Sequence, residues 1–328
     1  MIRLVLIVAG VYFSLVAILS LIAYRAMFHP LSRGLEFTRD KGLERGEFGR
    51  EFVDLPWLQF NVESPNGYRI SGSFLAAAVK FAPTALFVHG ISWTRIGMYK
   101  YMKAFVAKGW NVAAIDLANH GDTKAPAMYG PSYGYYEKQD VAATVKALGG
   151  IFPDTPLLGL VGESLGAATV LQYASLPSDP LSMPVAFIIA DCSFTSAAKE
   201  LDAQLMKLKM PKLIRLNVCG IVSLFSKALR GFRLEEASPE KSGQAFDTPV
   251  LYVHGMEDTY VPTRMSVEMY NLRLKAGKPA AELLLVPGAR HAKSYMTDPS
   301  LWEAKIFDFI ERYAFGLNRE GVTGDDNR

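Results

Sequence analysis

At 328 residues, half of them apolar and a fifth charged, the chain has material for one large domain or two small ones. A formal charge of +3, with no arginine-rich tract or aromatic stacking platform, excludes nucleic acid as a partner. Cys192 and Cys219 stand in no metal-ligand spacing and read as buried thiols, and the five scattered histidines imply no metal; nothing calls for a cofactor.

From Leu4 to Tyr24 no residue is charged, and Arg3 and Arg25 bracket the run. Its twenty-one residues would rise about 30 Å as a helix, the thickness of a bilayer's hydrocarbon. A cleaved signal peptide is the competing reading. The run exceeds a 7–15-residue signal core and lacks a small-x-small site before Arg25, so residues 1–25 are expected to be an uncleaved single-pass anchor. Arg25, Arg33, Arg39 and Lys41 lean towards a cytoplasmic body, but the short leading tail leaves the side of the membrane open. Residues 26–50, charged and punctuated by glycine, read as a juxtamembrane linker.

The pattern becomes strand-like from Glu51, which opens a domain expected to run to residue 316. Asn66-Gly67, between Phe60/Val62 and the alternating Tyr68, Ile70, Gly72 and Phe74, marks a hairpin. Buried strands come next at Thr84–Val88, Asn111–Ile115, 157–161, Val185–Ala190, Pro249–Val253 and Leu283–Val286. Helices are expected at 97–108, at 136–148 with Gly149-Gly150 as the stop, after Gly166, from near Pro262, and at 300–315. Strands alternating with helices imply a mostly parallel sheet covered on both faces. Residues 194–246 replace a short crossover with helix formers and suit a lid. Its stretch 195–233 carries eight Lys/Arg against two acids, which fits an ordinary amphipathic lid or one resting on anionic headgroups. The polar tail 317–328 reads as disordered.

The chemistry starts at Leu157–Val170, LLGLVGESLGAATV, where an apolar run enters Gly162-Glu163-Ser164-Leu165-Gly166 and a small-residue helix comes directly after. Such a strand, sharp turn and helix exposes a serine hydroxyl above a sheet edge. A serine needs a base to accept its proton, a carboxylate to orient that base, and donors for the oxyanion. In the α/β-hydrolase arrangement the order is nucleophile, acid, histidine. Asp258 follows a buried strand, and His291 is the sole histidine after it, so Ser164, Asp258 and His291 form the expected triad. Glu257 and Asp191 are the rival acids, while His254 and His120 are expected to hold loops. Oxyanion donors are expected from the backbone N–H of Leu165 and of Ile91, with Ser92 as the alternative. Trp93, Tyr133 and Tyr135 are candidates for lining the acyl pocket.

LFVHG at 86–90, AIDLANHG at 114–121, YGYYEKQDV at 133–141, GESLGAATV at 162–170, IIADCSF at 188–194, HGMEDTYVP at 254–262 and PGARHAKSY at 287–295 occur in that order. With them the chain resembles the serine α/β-hydrolases, and more narrowly a bacterial group of membrane-anchored, lidded members. It departs from the lipase-type pattern in having Ile91-Ser92 in place of a triple-glycine run. The resemblance implies triad chemistry on a small-molecule carboxylic ester or a related acyl bond. Relatives include peptidases and thioesterases, so an aminopeptidase on the same triad is the second reading. An inactive binding module is the third, against which an intact triad counts. Oligomeric state is not written in these residues.

Overall fold

The computed structural model describes residues 1–278 and 280–316; the tail 317–328 lies outside them. Among these residues eight strands form one sheet: β1 Leu58–Glu63, β2 Arg69–Leu75, β3 Thr84–Val88, β4 Asn111–Ile115, β5 Leu158–Glu163, β6 Val185–Asp191, β7 Val250–Gly255 and β8 Ala281–Val286. Their spatial order is β1-β2-β4-β3-β5-β6-β7-β8. The opening hairpin is antiparallel, as is β2 with β4, and the remaining neighbours are parallel. Every residue of β3, β4, β5 and β7 is buried, which explains why they read as unbroken apolar runs.

Alternate strand residues feed two cores. Leu86 and Val88 of β3 face one; Ala85 and Phe87 face the other. Along the chain the helices are α1 Ile2–Phe28, α2 Leu35–Glu44, α3 Arg50–Val53, α4 Tyr99–Ala107, α5 Glu137–Ile151 and α6 Leu165–Tyr173. The insertion between β6 and β7 holds α7 Ala197–Lys207, α8 Lys212–Arg230 and α9 Pro239–Ser242. Last come α10 Arg264–Lys275, α11 Ser294–Thr297 and α12 Pro299–Tyr313.

Two expectations are corrected. Helix α5 does not stop at Gly149-Gly150 but runs through both glycines to Ile151. Leu148 is buried in the core and accepts the Phe152 N–H at 2.8 Å, so packing overrides a glycine penalty of about 1 kcal/mol per residue. Residues 26–50 are not a loose linker: α1 extends to Phe28, α2 comes after it, and Phe48 is buried. A Cβ on Gly42 would lie 2.2 Å from the Phe48 ring, so that glycine serves close packing.

Helix α1 is long and apolar enough to cross a membrane. Val16, Ser20, Ala23, Tyr24, Met27 and Phe28 form one buried stripe on its second half, whereas its first seven residues are exposed. The Arg230 guanidinium at the end of α8 secures that stripe. It lies 4.4 Å over the Phe28 ring and donates to the Phe28 carbonyl, the Tyr24 hydroxyl and the Ala127 carbonyl. On the body side, the Tyr133 hydroxyl donates to the Met27 carbonyl at 3.2 Å.

Candidate active site

Strand β5 delivers Ser164 to the carboxyl edge of the sheet, where it caps α6 with φ 53° and ψ −111°. This left-handed backbone is strained for any residue with a Cβ, and two glycines permit the turn around it. A Cβ on Gly162 would stand 2.5 Å from the Ala167 nitrogen, and one on Gly166 only 1.9 Å from the Val88 carbonyl oxygen. Strand β6 braces the turn, since the Ser164 N–H donates to the Asp191 carbonyl at 2.8 Å.

His291 follows β8 and Asp258 follows β7, so neighbouring parallel strands bring both to the same edge. The His291 Nε2 is 3.1 Å from the Ser164 Oγ, and its Nδ1 is 2.7 Å from the Asp258 Oδ2. Asp258 Oδ1 accepts the backbone N–H groups of Tyr260 and Val261 at 2.8 and 2.9 Å. Burial alone would raise the Asp258 pKa; the hydrogen bonds from His254 and His291 outweigh it and hold the carboxyl at about 2. An ionised Asp258 accepts the Nδ1–H of His291 and leaves Nε2 facing the serine as a proton acceptor.

His254 is buried beneath Asp258 and His291. Its Nε2 faces two acceptors, Asp258 Oδ2 at 3.1 Å and the Val261 carbonyl at 3.0 Å, so that nitrogen carries the hydrogen. The Nδ1 then accepts from the Ser266 hydroxyl at 2.7 Å. His254 therefore fastens the Asp258 loop.

The rival acids are elsewhere. Glu257 points to solvent. Asp191 accepts from Tyr101 and Ser294, each at 3.0 Å. Burial first, then the nearby Glu163 charge, pushes its carboxyl up to about 6.

Of the oxyanion candidates, Ser92 is already engaged: its N–H donates to the His120 Nε2 at 3.0 Å. Neither the Ile91 N–H nor the first-turn N–H of Leu165 has a protein acceptor among the described residues. Two neutral imidazoles shape this turn. The His89 Nε2 accepts the Leu117 N–H at 3.0 Å while its Nδ1–H donates to the Gly90 carbonyl at 2.7 Å. Burial lowers the pKa of both His89 and His120 to about 4, so each stays uncharged.

Ser164 opens into a cavity of about 230 Å³. One wall is Leu19, Ile22, Ala23, Ala26 and Met27, a single face of α1. The insertion supplies Leu201, Leu205 and Leu208 opposite, and Ile91 and Tyr133 come from the body. Polar groups are few: Glu200, Gln204 and Tyr260. Glu200 is buried, its Oε1 accepts from Gln204, and its Oε2 has no partner among the described residues. Burial is the main cause that pushes this carboxyl up to about 7.

The three aromatics expected at the pocket separate. Tyr133 lines the cavity. Trp93 lies off it, 6.5 Å from the Phe37 ring and beneath the Arg45 guanidinium at 5.3 Å. Tyr135 stacks on Phe232 at 4.6 Å and is likewise absent from the cavity wall. Sequence reasoning missed Glu200 and the whole α1 wall. The wall residues recur at i, i+3, i+4, i+7 and i+8, but in a helix apolar on every side that spacing carries no contrast.

A parallel sheet with a serine on a strained turn at its carboxyl edge, and a helical insertion over that edge, is the architecture of an α/β-hydrolase. Residues 85–304 match the model of the alpha/beta hydrolase family, and the chain belongs to that family. It is similar to the uncharacterized protein YqkD of Bacillus subtilis, 30% identical over 261 residues that cover 79% of this chain and 81% of that one. Among solved structures, an esterase of Pyrococcus furiosus superposes with a TM-score of 0.62 at 20% identity, covering 82% of this chain and 97% of its own. An acylaminoacyl peptidase of Pyrococcus horikoshii gives 0.59 at 18% identity, covering 80% of this chain and 43% of that one. At such identities the likeness concerns the fold alone.

Proposed function

We propose that the protein is a membrane-anchored serine hydrolase that cleaves a carboxylic ester through an acyl-enzyme. The observation that carries this reading is the chain of two hydrogen-bond distances, 3.1 Å from Ser164 to His291 and 2.7 Å from His291 to Asp258. In the first half-reaction the Ser164 Oγ attacks the ester carbonyl carbon while His291 Nε2 takes the hydroxyl proton. The oxyanion is held by the Ile91 and Leu165 N–H groups. Collapse expels the alcohol, which leaves with the proton from His291. Water then attacks the acyl-enzyme with His291 again as base, releasing the acid and restoring Ser164. Asp258, ionised throughout, keeps the imidazole oriented and offsets its transient positive charge.

The apolar cavity supports an aliphatic acyl group. The test is fluorophosphonate labelling followed by peptide mapping, with turnover of p-nitrophenyl esters: an adduct on Ser164 and hydrolysis are expected. Folded protein that neither labels nor hydrolyses would leave the scaffold reading instead.

A second reading, hydrolysis of an amide with a free amino terminus, draws support from the unpartnered Glu200 Oε2, which could receive an ammonium group. Burial pushes this carboxyl up to about 7, so an ammonium group there would have to offset that burial to hold it ionised. Comparing p-nitrophenyl esters with aminoacyl p-nitroanilides separates the two.

A further inference from the structure

The apolar helix that could span a membrane is also a wall of the cavity, and the two roles constrain each other. Helices α1 and α8 lie side by side in the same direction. Asn217 donates to the Tyr12 hydroxyl at one end, and Arg230 holds Tyr24 and Phe28 at the other. Within α1, Ile2–Val11 lies ahead of this shared length, and ten helical residues rise roughly 15 Å, half of a bilayer's hydrocarbon thickness. For α1 to cross, the stretch from Tyr12 onwards must also stand in hydrocarbon, and α8 stands beside it.

The surface of α8 has the chemistry for that position. Leu213, Leu216 and Leu224 are 65%, 56% and 52% exposed, a waste of apolar area on a helix facing water. The cavity mouth is on this same side. Ile22 of α1 and Leu208 beside α8 both line the cavity, yet are 60% and 73% exposed.

We propose that α8 is sunk in one leaflet beside α1, and that the cavity fills sideways from the bilayer with a membrane-borne ester bearing a long aliphatic acyl chain. This rests on the serine hydrolase reading above. The chain enters between Ile22 and Leu208, runs along the α1 wall, and brings its ester carbonyl to Ser164. A cavity of about 230 Å³ falls below the roughly 300–1,000 Å³ of sites for drug-sized ligands and suits one narrow chain. Glu200, Gln204 and Tyr260, the polar groups of the cavity, then meet the ester's alcohol side.

The test uses the full chain in vesicles of phosphatidylcholine and phosphatidylglycerol, given two 4-methylumbelliferyl esters: a palmitate dissolved in the bilayer and a water-soluble butyrate. The double variant Leu213→Asn/Leu216→Asn alters only the outer face of α8. We expect palmitate turnover to fall about tenfold while butyrate turnover and fluorophosphonate labelling of Ser164 stay within about twofold. Unchanged palmitate turnover, or an equal fall on both esters with labelling intact, overturns bilayer loading. If the double variant loses labelling, Leu224→Asn read in the same way decides. A parent protein that cleaves butyrate but not palmitate overturns the lipid substrate alone; one that cleaves neither overturns the hydrolase reading beneath it.

Discussion

Lys100 and Glu163 form a buried ion pair directly behind Ser164, and the same ammonium donates to the Ala292 carbonyl at 3.0 Å, one residue beyond His291. Burial by itself would lower the Lys100 pKa, but the carboxylates of Glu163 and Glu47 raise it, so the ammonium stays charged. Replacing it with an isosteric apolar side chain strands Glu163 without a cation and frees the His291 loop. Lys100→Met is expected to lose about 3–5 kcal/mol of stability in urea titrations. Glu163→Gln with Lys100→Met should recover part of that loss, whereas two independent sites would give additive losses.

Removing Ser164 or His291 should leave the fold standing. Ser164→Ala and His291→Ala are each expected to lower kcat on a p-nitrophenyl ester by about 10⁴-fold or more, with near-native circular dichroism. Asp258→Asn should also unfasten His254, so a lower unfolding midpoint is expected along with the lost turnover. Undiminished activity in Ser164→Ala would end the mechanism.

Two glycines make a matched pair. Gly166→Ala drives a Cβ to 1.9 Å from the Val88 carbonyl oxygen, a backbone atom fixed in the central sheet. It is expected to destabilise by more than about 3 kcal/mol or to prevent soluble expression. Gly150→Ala, inside α5 with nothing within 4 Å of the new methyl, is expected to stabilise by about 0.5–1 kcal/mol. Thermal melts of the two variants check both signs.

Glu200 gives a pH signature. Its folded pKa, about 7, lies above the ordinary value of 4.5, so the folded state binds the proton more tightly than the unfolded one. Stability is therefore full below about pH 4.5 and declines as pH rises towards 7. Asp258 acts in the opposite sense and much lower: held at about 2, it stabilises above its ordinary value of 3.8 and loses this as pH falls towards 2. Glu200→Gln is expected to remove the decline, gaining on the parent by up to about 3 kcal/mol at pH 8 relative to pH 4.5. Parallel stability curves for parent and variant across that range would refute it.

The sheet was largely legible because its strands are buried on both faces. Thr84–Val88 and Asn111–Ile115 stand out as apolar runs between turn residues, and they are β3 and β4 residue for residue. The spacing of Ser164, Asp258 and His291 was legible for the same reason: each sits just past a strand, and parallel strands deliver their trailing loops to one edge. Local pattern failed where tertiary contact decided. Gly42 and Gly149 read as punctuation, yet one admits the Phe48 ring and the other is carried inside a helix fixed by Leu148. Trp93 and Tyr135 are near the site in sequence but turn towards Phe37 and Phe232, a direction that no spacing specifies.

The buried stripe on α1 has a consequence for how the protein is made. The ribosome releases that helix some 180 residues before α8, a wait of roughly 10–40 s at ordinary synthesis speeds. Until then the stripe lacks α8, and of the partners named for it only Tyr133 of the body is already made. Oil can stand in for the missing helix: Ser20 already returns its hydroxyl to the Val16 carbonyl at 2.7 Å, and few other polar side chains on α1 need water. Delivery to a lipid phase early in translation would keep the newborn segment from clumping, and the late-arriving Arg230 would then clasp it and finish the fold.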